Sequence, residues 1–202
     1  MKNFFVITIG REFGSGGRQV GQRLAELLHI DFFDKELIEE ASRRSGVSTD
    51  FLERADEKAP NMLDYALLGN FGNENVLSNG NFYVLQTNVI LSIVKERSCV
   101  IVGRSADYIL RNHPRCINLF IHAPEDFRKR QICSRMFVSE EEALSLMEKN
   151  DRQRSKFYNF YTDQVWGKSS SYHLSIDSSV LGIEYTALYL KDFIVKALNL
   201  PQ

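Results

Sequence analysis

The sequence is poor in cysteine, and its three thiols, Cys99, Cys116 and Cys133, never form a Cys-x-x-Cys pair. That excludes a thiolate zinc site and a disulfide framework. Cys99 and Cys116 fall in apolar, strand-like runs, where a thiol is ordinarily a small buried hydrophobe. The four histidines, His29, His113, His122 and His173, have no metal-ligand spacing, and no metal site is expected. An excess of either charge is also missing. Lys and Arg number 25 against 26 Asp and Glu, a net charge of -1. This argues against a general nucleic-acid binder but leaves room for a local basic cleft. No apolar run approaches the ~20 residues of a membrane span. The start, MKNFFVITIG, is too short for a secretory apolar core and has no cleavage site. The expectation is a cytoplasmic protein with small-molecule partners, no nucleic acid and no membrane; a homodimer is compatible with it.

What is present is a βα alternation. Phe4 to Ile9 is a short β-branched apolar run, followed by glycines and then by RQVGQRLAELL, where Val20, Leu24, Leu27 and Leu28 recur at helical spacing. DFF is a brief second strand, and Asp34 can cap the helix KELIEEASRR. A short helix, DFLERADE, follows. The Asn- and Gly-rich stretch from Ala59 to Gly80 reads as a long loop, of the kind that is usually functional. YVLQTNVILSIVKER returns to helix, and SCVIVG is a third strand, apolar on both faces. RSADYILRN is a short helix, CINLFIHA a fourth strand and YHLSID a fifth. Pro124 suits the first turn of PEDFRKRQICSRMF, and Ser139 with Glu142 makes a capping box for the next helix. The last helix, GIEYTALYLKDFIVKAL, carries Ile183, Ala187, Leu190 and Ile194 on one face.

Five strands separated by helices imply an α/β sandwich with a mostly parallel sheet. At 202 residues the chain favours one domain, 1–202. Ligands of such sheets bind beyond the carboxyl ends of the strands. Attention therefore falls on Gly10 to Arg18, Asp34 and Lys35, Gly103 to Asp107, His122 to Glu125, and Asp177 onward.

In the first of these, the most telling absence is a lysine. REFGSGGRQVG stands between a strand and a helix, the geometry of an anion cradle: glycines turn successive N–H groups inward and the helix end adds partial positive charge. A full phosphate loop reads G-x-x-x-x-G-K-[ST]. Here Gly17 stands where the lysine belongs and Arg18 where the hydroxyl belongs. Arg11 and Arg18 flank the loop and can supply charge, because arginine forks bind phosphate well. Ser15 is a poor stand-in for the metal-holding hydroxyl.

Further arginines match a polyanionic ligand. Arg104 emerges directly from the third strand, with Asp107 one helical turn on. A charge at the end of a buried strand needs an anionic partner. FRKRQICSR carries Arg128, Arg130 and Arg135; DRQRSKFY carries Asp151, Arg152 and Arg154. Arg152 and Arg154 are two residues apart on a helix and point to different sides, so one at most faces inward. Lys129, Arg43 and Arg44 read as solvated helix faces. A mobile arginine-rich lid would shield a transferring phosphoryl group from water.

ITIGREFGSGGRQVGQRLAELLHIDFFDKELIEEAS, SCVIVGRSADYIL, LFIHAPEDFRKRQI and DRQRSKFYNFYTDQVWG resemble, in that order, the cytidylate kinase-like family of the P-loop nucleoside monophosphate kinases. The resemblance covers nearly the whole chain and is weakest across Asp56 to Gly80. It implies a P-loop kinase three-layer α/β/α sandwich with a five-stranded parallel sheet. It also implies an NMP-binding insertion at about 34–82 and a LID at about 137–168. The implied activity is that of an ATP-dependent (d)CMP kinase, with ATP and Mg²⁺ as cofactors. Arg11, Gly14, Ser15, Gly16, Gly17, Arg18 and Gln19 would hold the nucleotide. Asp34, Arg104 and Asp107 would hold the acceptor, and Arg18, Arg152 and Arg154 would act in transfer. Ser105 replaces the aspartate of the family's Gly-Arg-Asp motif. Two alternatives stay open: a regulatory nucleotide binder with little kinase activity, given the lost lysine, and a kinase for another small phosphorylated acceptor, given Ser105. A serine-nucleophile reading of FGSGGR lacks the strand-to-helix elbow and a His/Asp partner.

Overall fold

Val6, Ile7 and Ile9 are shielded from solvent because they belong to the middle strand of a five-stranded sheet. The computed structural model describes residues 4–34, 37, 39 and 79–201. The strands are β1 (Val6–Arg11), β2 (Asp31–Phe33), β3 (Cys99–Val102), β4 (Cys116–His122) and β5 (Leu174–Asp177). They lie in the order β2-β3-β1-β4-β5, and every pairing is parallel. The strand order reverses on either side of β1, so its carboxyl end opens into the crevice where such sheets bind ligands.

The α/β/α sandwich expected from the sequence is the architecture observed. Helices α1 (Gly17–Leu28), α2 (Asn79–Glu96), α3 (Ala106–Ile109), α4 (Glu125–Met136), α5 (Glu140–Thr162) and α6 (Ser178–Leu198) alternate with the strands. Strand residues feed the two faces by turns. Val6, Cys99 and Ile101 pack with Val89, Ile90 and Ile93 of α2 and with Leu110. Ile7, Ile9, Val100, Val102, Leu119 and Ile121 pack on the opposite side with Val20 and Leu24 of α1 and with Ala187, Leu190 and Ile194 of α6. β3 is buried throughout, as an unbroken apolar run predicts. Burial pushes the Cys99 and Cys116 thiols up to about 12, so both stay protonated.

Helix ends follow local chemistry. Ser139 Oγ accepts the Glu142 N–H at 3.2 Å, one half of the expected capping box. Asp177 Oδ1 accepts the Ser179 N–H at 2.8 Å and so caps α6. Pro124 is the cap of α4 and not its first helical residue, with φ -57 and ψ 149. α2 begins at Asn79, inside the stretch read as loop; its apolar positions Val89, Ile90, Ile93 and Val94 are buried against the sheet, and that packing supports a helix longer than local propensity indicates. Of the helix expected at 35–44 only Leu37 and Glu39 are described, both helical, and Leu37 is buried in the core; the helix expected at 50–57 and most of the expected NMP-binding insertion lie outside the described residues. Among the described residues no helix is long and apolar enough to cross a membrane.

Candidate active site

The glycine loop turns sharply at two left-handed glycines, Gly14 with φ 82 and Gly16 with φ 76. A Cβ on Gly14 would fall 2.9 Å from the Arg128 carbonyl oxygen, so no side chain fits there. Ser15 is buried. Its hydroxyl donates to the Glu12 carbonyl at 2.9 Å and accepts from the Gly17 N–H at 3.3 Å. The hydroxyl is thus committed to loop shape and is not presented as a metal ligand. From below, Ser178 Oγ donates to the Ser15 carbonyl at 2.5 Å and approaches that of His122 at 3.2 Å, tying the loop to the ends of β4 and β5. α1 has no side-chain cap and no acidic residue in its first turn, so its positive end is not neutralised locally. These features fit a phosphate cradle. Gln19 follows on α1, half-buried, with its Oε1 buried and unpartnered.

The rim of the loop is fastened by a charge network. Phe13 N–H donates to Asp151 Oδ1 at 2.7 Å. Buried Arg128 reaches Glu12 Oε2 at 2.9 Å with one nitrogen and Asp151 Oδ2 at 2.8 Å with the other. Glu12 Oε2 also accepts the Ala123 N–H at 3.2 Å. Arg154 Nη1 donates to the Arg11 carbonyl at 3.1 Å and stands over the Phe13 ring. α5, which spans most of the expected lid, therefore sits directly on the loop. Its two arginines separate as helix geometry requires: Arg154 faces inward and Arg152 is exposed. Lys129, read as a surface charge, pairs with Asp126 at 3.6 Å and Glu140 at 2.9 Å.

Between the ends of β1 and β3 and the inner face of α5 lies a cavity of about 260 Å³. Its lining includes Arg11, Arg104 and Arg154, together with Asp107, Phe157, Tyr158, Trp166, Tyr172, Asn150 and Gln153. The backbone that delivers Arg104 is left-handed at three successive residues, Gly103 (φ 75), Arg104 (φ 64) and Ser105 (φ 51). Two non-glycine residues in that region cost of order 1–3 kcal/mol each, and such conformations cluster at functional sites. The Ser105 hydroxyl is buried at this cavity without a hydrogen-bond partner. Gln86 Nε2 secures the turn by donating to the Arg104 carbonyl at 3.1 Å.

The cations of this cavity are crowded. Burial, then the Arg11 charge, lowers Arg104 to about 10, against which Asp34 acts. Burial and Arg11 lower Arg154 to about 9, opposed by Asp151 and Asp34. Arg11 is lowered as well, chiefly by burial. Asp34 partly compensates: its carboxylate lies 3.7 Å from Arg11 and 2.7 Å from Arg18 Nε. Two remote segments of sequence thereby meet, since Asp34 ends β2 and the arginines bracket the glycine loop. Burial raises Asp107, and the Tyr158 hydroxyl, donating at 2.7 Å, works against that rise. A desolvated cationic patch that Asp34 and Asp151 offset only in part, since all three arginines stay lowered, gains from a dianionic ligand.

Sequence reasoning placed Arg11, Arg104 and Asp107 at strand ends and Arg154 on the lid helix, and the structure gathers all four around one cavity. Arg18 and Asp34 stand beside it. Tyr172, Asn150, Gln153 and the Glu12–Arg128–Asp151 bridge were not foreseen. For Arg128 a signal existed, four residues past Pro124 at the ligand-bearing edge. Tyr172 and Trp166 reach the cavity from a loop whose path no periodicity records.

Residues 6–180 match the cytidylate kinase-like family. The chain belongs to that family. Among solved structures it is similar to an uncharacterized protein from Eubacterium ventriosum, with 30% identity, a TM-score of 0.69 and coverage of 96% of this chain and 98% of that one. A shikimate kinase from Acinetobacter baumannii in complex with shikimate shares 16% identity at a TM-score of 0.53, covering 97% and 96%. A gluconokinase from Sinorhizobium meliloti shares 14% at 0.50, covering 96% and 95%. The latter two show the fold alone, that of P-loop kinases. No curated relative matches the chain. Family and fold together support a nucleotide or small-molecule phosphotransferase.

Proposed function

We propose that this cytidylate kinase-like protein is a cytoplasmic kinase that transfers the ATP γ-phosphate to CMP or dCMP. The observation that carries the reading is the cavity at the carboxyl ends of β1 and β3. Arg11, Arg104 and Arg154 all line it, with the Arg11 charge acting on both of the others, which suits a phosphate dianion. The aromatic side chains of the lining, Tyr158, Tyr172 and Trp166, suit a planar group. The adjoining glycine loop suits the donor phosphates, so donor and acceptor would meet across the end of β1. Holding both phosphates in a desolvated site and stabilising the transferred group by fixed cations is most of what phosphoryl transfer asks of a protein. Family membership supports the acceptor class.

Magnesium is a separate matter. No group of three or more His, Cys, Asp or Glu able to hold a metal ion occurs among the described residues. Glu12, Asp34 and Asp151, the carboxylates around the loop, are each engaged by arginine. The residues present fit phosphate and do not fit a cation held by protein carboxylates. A magnesium ion would enter with the nucleotide, whose own oxygens are its usual ligands.

A second reading, a kinase for a different phosphorylated acceptor, is favoured by the orphaned Ser105 hydroxyl, which awaits a polar partner. A coupled ADP-release assay over all nucleoside and deoxynucleoside monophosphates tests the first reading. Turnover confined to CMP or dCMP is expected; no turnover with any acceptor would overturn it. Product screening by mass spectrometry against sugar phosphates decides the second.

A further inference from the structure

The loop keeps the register of a standard phosphate loop while two of its residues are exchanged. Laid on G-x-x-x-x-G-K-[ST], the segment from Arg11 to Arg18 puts Arg11 at the first position, Gly16 at the sixth, Gly17 at the seventh and Arg18 at the eighth. The standard loop has a glycine first and a cation seventh. This chain has a cation first and a glycine seventh.

The structure gives the exchange a steric basis. A Cβ on Gly17 would stand 2.5 Å from the Arg11 Cβ and 3.2 Å from its Cγ. A side chain at 17 and one at 11 therefore exclude each other. Further along, a Cβ on Gly103 would fall 2.0 Å from Arg11 Nη1 and 3.0 Å from its Cζ. Arg11 thus runs from the loop, past Gly17, to lie against Gly103, in a channel that two glycines leave open. Its guanidinium ends in the cavity beside Arg104 and Arg154, steadied by Asp34 at 3.7 Å and by the Arg154 fork on its own carbonyl at 3.1 Å. Arg18 does not compete for the place: its side chain is 44% exposed and its Nε lies on Asp34.

We propose that Arg11 is the phosphate-holding cation of this loop, moved from the seventh position to the first and admitted by Gly17 and Gly103. The inference rests on the kinase reading for its activity arm and on nucleotide binding alone for its decisive arm. Moved to the strand end, the charge lies at the wall shared by the glycine loop and the acceptor cavity. A forked guanidinium offers several donors where a lysine offers a point charge. Arg11 can then face donor and acceptor phosphates together, which a lysine rooted on α1 does not do from the cavity side.

The test is a reciprocal swap in the full chain. Arg11→Gly, Gly17→Lys and the double variant are compared with wild type for calorimetric binding of a non-hydrolysable ATP analogue, for ATP KM and kcat, and for thermal unfolding. Each single variant is expected to bind the analogue at least tenfold more weakly. The double variant is expected to bind more tightly than either single, because removing the side chain at 11 clears the space that a lysine at 17 needs. Arg11→Gln keeps the inner part of the stem and removes the charge; it is expected to weaken analogue binding tenfold with little change in melting temperature, which guards against a mere failure to fold. Undiminished binding in Arg11→Gln, a double variant no better than the weaker single, or a wild type that does not bind the analogue would overturn the inference. A wild type that binds the analogue and turns over no acceptor would sink the kinase reading, while the swap still decides the role of Arg11.

Discussion

Tyr158 donates its hydroxyl proton to Asp107 across 2.7 Å, and this bond joins α5 to the short helix after β3. Both residues are buried, and the same hydroxyl lies 3.1 Å from Gln164 Oε1. The bond couples the inward face of the expected lid to the wall that carries Arg104. Tyr158→Phe removes the donor and leaves a buried carboxylate short of a partner. The expected cost is about 1–3 kcal/mol in denaturant-monitored stability. A larger rise in acceptor KM than in ATP KM is expected with it, because Asp107 lines the cavity proposed to hold the acceptor.

Asp107 also predicts a pH dependence. Burial holds its carboxyl above the ordinary carboxylate range in the folded chain. The folded state therefore binds a proton that the unfolded state releases, over the window between the ordinary value and the raised one. In that window stability falls as pH rises. Asp107→Asn removes the ionisation and keeps an acceptor for Tyr158. Its melting temperature should exceed that of wild type at neutral pH by a few degrees, and the gap should close as the pH is lowered through the carboxylate range. Melting curves from pH 4 to 8 check this; a gap that is constant with pH would refute it.

Arg128 bridges Glu12 and Asp151 with separate nitrogens, at 2.9 and 2.8 Å, and its side chain is 9% exposed. Removing it strands two carboxylates in a poorly hydrated place. Breaking such a network from one side typically costs ~3–5 kcal/mol. Arg128→Met should lose stability on that scale. Asp151 Oδ1 holds the Phe13 N–H, so the variant should also loosen the glycine loop and weaken nucleotide binding. Urea unfolding, with analogue binding on the same samples, reads both effects.

The strand plan was legible because the central strands β1, β3 and β4 are largely apolar runs set between helical patterns. Cys99–Val102, bounded by serine and glycine, reads as a strand covered on both faces, whereas β2 and β5 rest on short, weaker signals. Placing charged residues just beyond those runs then found Arg104 and Asp107. What escaped depends on contacts between residues far apart in sequence. That Arg11 lies against Gly103 depends on the parallel pairing of Ile9 with Val102; in sequence Gly103 is simply a turn glycine. The stack of Tyr83 on Tyr161, with centroids 4.1 Å apart, was equally hidden, since one partner belongs to α2 and the other to α5. Asp34 was read as a helix cap from its position, and its carboxylate carries two arginines from across the sheet edge.

Gly103→Ala probes the channel from the other side. The residue has φ 75, a conformation that alanine reaches only with strain, and its Cβ would fall on the Arg11 guanidinium. The combined expectation is a loss of ~1–3 kcal/mol in stability and displacement of Arg11 from the cavity. Nucleotide and acceptor binding should both weaken. Repeating the substitution in an Arg11→Gly background should cost less, because the clash has gone. A cost unchanged in that background would mean that backbone strain alone governs Gly103.

Arg154 and Arg152 offer the cleanest contrast within one helix. Arg154 lines the cavity and donates to the Arg11 carbonyl; Arg152, two residues earlier, is exposed. Arg154→Ala removes a half-buried cation from the cavity lining and a donor to the loop. Arginines on transferring phosphoryl groups are worth ~10³-fold or more in rate, so a fall of at least a hundredfold in kcat is expected. Arg152→Ala should stay within about threefold if α5 keeps its present rotation during turnover, since surface charges of this kind contribute little. Steady-state kinetics of the two variants with ATP and CMP measure the difference. Comparable losses in both would show that α5 turns or unwinds on closure, bringing Arg152 to the phosphates as well. A loss in Arg152→Ala alone would remove Arg154 from the transfer step and leave it the task of holding the glycine loop.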